Sequence, residues 1–156
     1  MPIINIDPKI IKFSNKVQSL CLQTSKSFPK GCPNYAKKPG CPPQPLINGI
    51  FDLQKPIYLI YTDFEIKKVA ERMRKKHHDW TEKQGYNPRY WQGTARKQHK
   101  LELKEFLETH PKTITNKNPE AHGVNVNNLM NKIGINLEWP PRKLSRIISL
   151  GGYTLR

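Results

Sequence analysis

Ile57–Thr62 (IYLIYT) followed by Phe64–His78 (FEIKKVAERMRKKHH) is the stretch that decides the fold. The first run is short, apolar and rich in β-branched and aromatic residues, so it reads as a buried strand. The period then changes. Ile66, Val69, Ala70, Met73 and His77 recur at helical spacing, while Lys68, Arg72, Lys75 and Lys76 fall on the outer side. A buried strand leading directly into an amphipathic helix calls for a sheet packed against helices, an α+β arrangement.

Working outward, Asn87-Pro88 breaks the chain, and Thr94 is expected to cap a second helix up to about His110. Ala95, His99, Leu103, Phe106 and Leu107 would face inward from it. Pro111–Glu120 is polar and turn-like. Asn125–Ile133 reads as a short helix stopped by Gly134. Ile135–Trp139 reads as a strand ended by Pro140-Pro141, and Arg146–Leu150 as the last strand before Gly151-Gly152. Toward the N-terminus, Asp7-Pro8 reads as a helix start, with Ile10, Phe13, Val17, Leu20 and Cys21 following at helical spacing. No internal repeat interrupts this pattern. The expectation is one α+β domain over residues 1–156, with a small mixed sheet covered by helices and a Pro-rich cysteine loop near the N-terminus.

That loop, residues 21–45, holds the chain's three cysteines: Cys21, Cys32 and Cys41. Prolines 29, 33, 39, 42, 43 and 45 exclude regular structure there. Three thiols on a stiff loop suit zinc or an iron–sulfur cluster. The spacing is not that of C-x2-C zinc ribbons, and no fourth cysteine exists. A zinc site would have to recruit His77, His78, His99, His110, His122 or a carboxylate. A 4Fe–4S cluster would instead leave one iron open to a substrate or a non-cysteine ligand. The N-terminus has no long apolar core or small-residue cleavage site, and no run approaches the ~20 apolar residues of a membrane span. A cytoplasmic, reducing location is therefore expected, where cysteines serve as ligands or catalysts rather than as disulfides.

Two segments carry a resemblance. Lys30–Tyr35 (KGCPNY) with Cys41-Pro42-Pro43, and Glu120–Val126 (EAHGVNV) continuing to Gly134 and Leu137-Glu138-Trp139, resemble the motifs of a widespread prokaryotic family of predicted metal-binding proteins of unknown function. The second matches an E-A-x-G-[IV]-[DN]-V pattern and extends over residues 120–152. The resemblance implies a metal or iron–sulfur site at Cys21, Cys32 and Cys41, but no activity. Many members of that family carry a second cysteine cluster before the E-A-x-G segment. Here Thr109–Pro119 contains no cysteine, so that cluster is absent. Glu120 and His122 lie in the second motif, where each is a candidate fourth ligand or acid–base group, or simply a turn-capping residue.

The net charge of +15 favours a polyanionic partner, with RNA, DNA or a nucleotide first and an anionic membrane second. The basic helical region 63–110 concentrates this charge. Within it Arg89, Tyr90, Trp91, Arg96 and Lys97 interleave aromatics, which stack on bases, with cations, which pair with phosphates. The alternative is that the aromatics are core and the cations a solvated face. Gly93-Thr94 offers a weak phosphate seat at a helix start. Asp63 and Glu65 read as helix N-terminal charges. No G-x-S-x-G or H-E-x-x-H motif is present. The leading expectation is a metalloprotein with an iron–sulfur cluster and a basic surface for an anionic partner. A zinc-stabilised nucleic-acid-binding or adaptor module, and a redox sensor or electron carrier, are the alternatives.

Overall fold

The computed structural model describes residues 3–138 and 141–155. In chain order the main elements are β1 (Ile3–Ile6), α1 (Asn15–Gln18), β2 (Ile57–Glu65), α2 (Ile66–Lys76), α3 (Glu82–Gly85), α4 (Gln92–Thr109), β3 (Ile114–Asn116), α5 (Val126–Lys132) and β4 (Leu144–Gly152). The strands form one sheet in the order β1-β2-β4-β3. Every pairing is antiparallel, so the sheet is not the mixed one expected from the sequence. The architecture is the expected single small α+β domain.

The sheet is covered on both faces, which is why β2 is an unbroken apolar run instead of an alternating one. Successive residues point to opposite faces. Ile57 and Leu59 of β2 and Leu150 of β4 join Ile47, Phe51, Val124, Leu129 and Met130 in the larger core. Ile60 packs with Leu103 and Phe106 of α4 on the opposite face. Further along that face Ile66, Val69, Trp91 and Ala95 form a third cluster. Gly151 and Gly152, read from sequence as lying beyond the last strand, are inside β4. A Cβ on Gly151 would stand 2.5 Å from the Phe106 ring, and one on Gly152 would stand 3.0 Å from the Phe51 ring. The two glycines let one large ring approach each face of the sheet.

Several local expectations change. The helix expected from Asp7 through Cys21 is broken into a 3-10 turn at Pro8–Ile10, the short α1, and a second 3-10 turn at Ser19–Leu22. Between them the backbone is spent on a distant partner. Ser14 N–H donates to Gly123 O at 2.8 Å, Asn125 N–H donates to Lys12 O at 2.9 Å, and Phe13 bridges Val124. Helix α4 begins at Gln92 with no side-chain cap, so Thr94 lies inside the helix and does not cap it. Leu107 is solvent-exposed: the sheet beneath α4 accommodates only the Ala95–His99–Leu103–Phe106 stripe. Residues 135–138 form no strand, and Trp139 and Pro140 lie outside the described residues. The turn-like segment before Glu120 contains β3. Asp63 and Glu65 end β2 and are ion-paired with Arg146 and Lys68, at 2.7 Å and 2.6 Å. Among the described residues no helix is long and apolar enough to cross a membrane.

Candidate metal centre and the groove beside it

Residues 23–46 contain no regular element, as their prolines require. Their shape comes from backbone hydrogen bonds. Cys32 N–H donates to Cys21 O at 2.7 Å, Ala36 N–H to Pro42 O at 2.7 Å, and Cys41 N–H to Lys38 O at 3.0 Å. Gly31 makes the first of these possible. Its φ is +81°, and an added Cβ would sit 2.9 Å from the Leu22 carbonyl oxygen. Only glycine combines that backbone conformation with that approach.

The loop is docked on the second sequence motif. Gln18 Nε2 donates to the carbonyls of both Gln44 and Ala121. Asn118 Nδ2 donates to Gly40 O at 3.1 Å, and His122 Nδ1 donates to Pro45 O at 2.6 Å. Gly123, with φ +81°, closes the contact. A Cβ there would stand 2.7 Å from the Ser14 carbonyl oxygen. The segments that carry the family resemblance, some eighty positions apart, are thus one structural unit.

Cys21, Cys41 and Glu120 line one cavity of about 360 Å³. Burial raises the Cys21 thiol above its ordinary pKa, and the nearby charges of Cys32, Cys41 and Glu120 raise it further; Cys32 does not line the cavity that Cys21, Cys41 and Glu120 share. Glu120 keeps solvent contact as a residue, but the cavity walls desolvate its carboxyl and raise its pKa. Among the described residues no three His, Cys, Asp or Glu side chains stand as a ready-made ligand cage. The donor set still fits a soft metal or cluster. Thiols are soft donors, the three lie on one loop, and Cys32, Cys41 and Glu120 are near enough for their charges to act on Cys21.

Three of the other candidate ligands, His99, His110 and His77, are engaged away from the loop. His99 is buried under α4, with Nδ1 at 2.7 Å from Thr62 Oγ1 and Nε2 at 2.7 Å from Ser149 Oγ. Thr62 donates onward to Glu102 Oε2, so Nδ1 carries the proton and Ser149 donates to Nε2. Burial first, and then the Lys117 charge, push the His99 pKa down to about 4. His110 stacks on Phe106, and His77 stacks on Trp80 at 4.0 Å between ring centres. His122 reaches the cysteine loop, with Nδ1 held by Pro45.

A second cavity, about 460 Å³, shares Asn118, Glu120 and Val126 with the first. It is walled by Pro88 and Trp91 and edged by Arg96, Lys117 and Arg146. A third, about 340 Å³, shares Arg96, Lys117 and Ile147 with the second and adds Lys100 and His99. The sheet explains this continuity. Strand β3 pairs only with the Leu150–Gly152 end of β4, which leaves the rest of that β4 edge uncovered. The groove runs around the uncovered edge, so Ile147 of one face and Ile148 of the other both line it.

The five residues expected to bind nucleic acid are therefore divided. Trp91 and Arg96 line the groove. Arg89, Tyr90 and Lys97 do not; Tyr90 packs against Trp80 instead, at 5.2 Å between ring centres. Trp91 is largely buried, with Nε1 donating to Tyr86 O at 3.0 Å. Lys100 and Lys117 had no local signal in the sequence. Lys117 sits in a segment read as a turn, far from Arg96 along the chain. Gly93 and Thr94 are absent from the groove lining. Compared with known proteins, the chain matches no family model, no curated protein and no solved structure.

Proposed function

We propose that this protein holds a metal centre, an iron–sulfur cluster, on Cys21, Cys32 and Cys41, and that its basic surface holds an anionic partner of the nucleic-acid or nucleotide class. The observation that carries the reading is that Cys21 and Cys41 line one cavity with Glu120, while Cys32 is tied to Cys21 through the backbone. The adjoining cavity of about 360 Å³ supports a centre with room for a ligand beside it. The motif resemblance points to the same three cysteines. A cluster held there would supply Lewis-acid or one-electron chemistry. The chain's own contribution is to fix the thiols on a stiff loop and to place a carboxylate at the opening.

One observation favours a second reading. Glu120 lines the same cavity as Cys21 and Cys41, and a carboxylate added to three thiolates would make the four-donor set that structural zinc uses. Under that reading the protein is a zinc-stabilised nucleic-acid-binding module.

Anaerobic purification, followed by a UV–visible spectrum and by metal and sulfide analysis of the same sample, separates the two. A brown protein absorbing near ~400 nm, with iron and acid-labile sulfide in similar amounts, supports the cluster. A colourless protein with about one zinc per chain supports the closed site. Wild-type protein that retains neither after anaerobic reconstitution, and whose metal binding does not change in Cys→Ser variants, removes both readings. Glu120→Gln tests the fourth donor: it should lower zinc affinity sharply but leave three-cysteine cluster content largely intact.

A further inference from the structure

The three cavities, adjacent through the residues they share, have an ordered chemistry. At one end Arg96, Lys100 and Lys117 surround the smallest cavity. Among the described residues none of the three has a carboxylate within salt-bridge distance, whereas Arg146 is paired with Asp63. The wall of this hollow is mainly apolar, so the three cations serve an anion at its rim, where guanidinium and ammonium groups make strong charge-assisted bonds to phosphate. Lys117 and the buried His99 line this cavity together, and the Lys117 charge is felt by the imidazole.

In the middle, the wall is apolar and rigid. Trp91 is fixed by its bond to Tyr86 O and by the Phe64 ring, which stacks on it at 6.3 Å between centres. Pro88 and Ile148 continue that wall. At the far end stand Asn118 and Glu120, beside Cys21 and Cys41.

The spacing selects the size of the occupant. Trp91 and Arg96 bound the start of α4, and five residues of helix advance about 7–8 Å. Lys117 and Glu120 are three residues apart, so their backbones stand no more than ~11 Å from each other. Arg96, Lys117, Trp91 and Glu120 all line the middle cavity, so one occupant of nucleotide size can meet all four. The groove also bends around the β4 edge, which suits one compact unit better than a straight run of strand.

We propose that the groove binds a nucleoside monophosphate unit, with its phosphate on Arg96, Lys100 and Lys117, its base against Trp91, and the far edge of that base presented to Glu120 at the cysteine pocket. This deepens the anionic-partner half of the proposed function and rests on it; the phosphate and Trp91 contacts do not depend on which metal the cysteines hold, whereas a zinc held by Glu120 would take that carboxylate away from the base edge. The unit is supplied either free or as one residue of a strand.

The test is calorimetric titration of the full-length protein as purified, at low salt. The probes are adenosine 5′-monophosphate, adenosine, inorganic phosphate and a single-stranded octaadenylate RNA. Adenosine monophosphate should bind more tightly than adenosine or phosphate. Arg96→Ala and Lys117→Ala should each weaken it roughly tenfold or more, as expected for loss of one charge-assisted bond. Lys75→Ala, on the outer face of α2, should leave it unchanged. Tighter octaadenylate binding with the same dependence on Arg96 and Lys117 also supports the proposal and identifies a strand as the source.

Equal weakening by Lys75→Ala reduces the effect to diffuse charge and overturns the proposal. Phosphate that binds as well as the nucleotide overturns the base-binding wall. Octaadenylate that binds through Arg89 and Lys97, without adenosine monophosphate binding, overturns the groove but leaves the anionic-partner reading standing. No binding of either removes both, and metal analysis of the same samples still reports separately on the cysteine site.

Discussion

The amide of Cys32 donates to the carbonyl of Cys21 at 2.7 Å, so two of the three cysteines are tied together through the backbone before any metal is considered. The tie depends on Gly31, which lies against the Leu22 and Cys21 carbonyls in a left-handed conformation. Gly31→Ala adds a Cβ at 2.9 Å from a backbone oxygen that cannot step aside and forces a backbone conformation that costs alanine about 1–2 kcal/mol. The domain should still fold, because the loop lies outside all three hydrophobic clusters. Metal content per chain should fall markedly with an unchanged far-ultraviolet circular dichroism spectrum. Full metal loading in this variant would show that the Cys21–Cys32 tie is dispensable.

His122 clamps the loop from the other side through its bond to Pro45 O. His122→Ala should cost about 1 kcal/mol, the net worth of one such hydrogen bond, and should loosen residues 40–46 more than the sheet. Hydrogen exchange measured by mass spectrometry would report both. Loss of bound metal in His122→Ala, with Glu120→Gln fully loaded, would instead identify the imidazole as the fourth ligand.

Gly151 and Gly93 should respond in opposite directions to the same change. Gly151→Ala drives a methyl group into the Phe106 ring inside the core and should cost about 1–3 kcal/mol. Gly93 lies in the first turn of α4 with nothing within 4 Å of an added Cβ. Gly93→Ala should be neutral or stabilising by up to about 1 kcal/mol through helix propensity. Urea midpoints at constant m value would test both.

Stability should fall as the solution is acidified from about pH 6.5 to about pH 4 because of His99. Its folded pKa, about 4, lies below the ordinary value of 6.5. In that window the unfolded chain takes up a proton that the folded chain refuses. The stabilisation is fully present above pH 6.5, declines through the window and levels off below the folded value. Its size is of order 3 kcal/mol. Lys117 faces the ring by its charge and Glu102 through Thr62; burial dominates the shift and the Lys117 charge acts in the same direction. His99→Gln keeps a donor and an acceptor in place and should flatten this part of the stability–pH curve. An equally steep curve in the variant would assign the loss to carboxylates elsewhere.

The strand at Ile57, the helices over residues 66–76 and 92–109, the last strand and the irregular cysteine loop could all be read from local pattern. Each is either a periodic run long enough to show its period or a proline density that leaves no choice. Strands β1 and β3 were too short to show any period, and the first helix failed because its backbone bonds were claimed by Gly123 and Asn125, more than a hundred positions away. The site divides in the same way. The sequence by itself determined that three thiols share one stiff loop, that Glu120 and His122 sit in a compact second motif, and that the surface is strongly basic. The tertiary structure alone decided that the second motif docks on the loop, that Lys100 and Lys117 join Arg96 while Arg89 and Lys97 are left outside, and that a groove bends around the β4 edge to the cysteines. The physical reason is range. Periodicity and turn chemistry act over a few residues, whereas closeness between Cys21 and Glu120 is set by side-chain packing and hydrogen bonds between distant segments, and no local pattern records those.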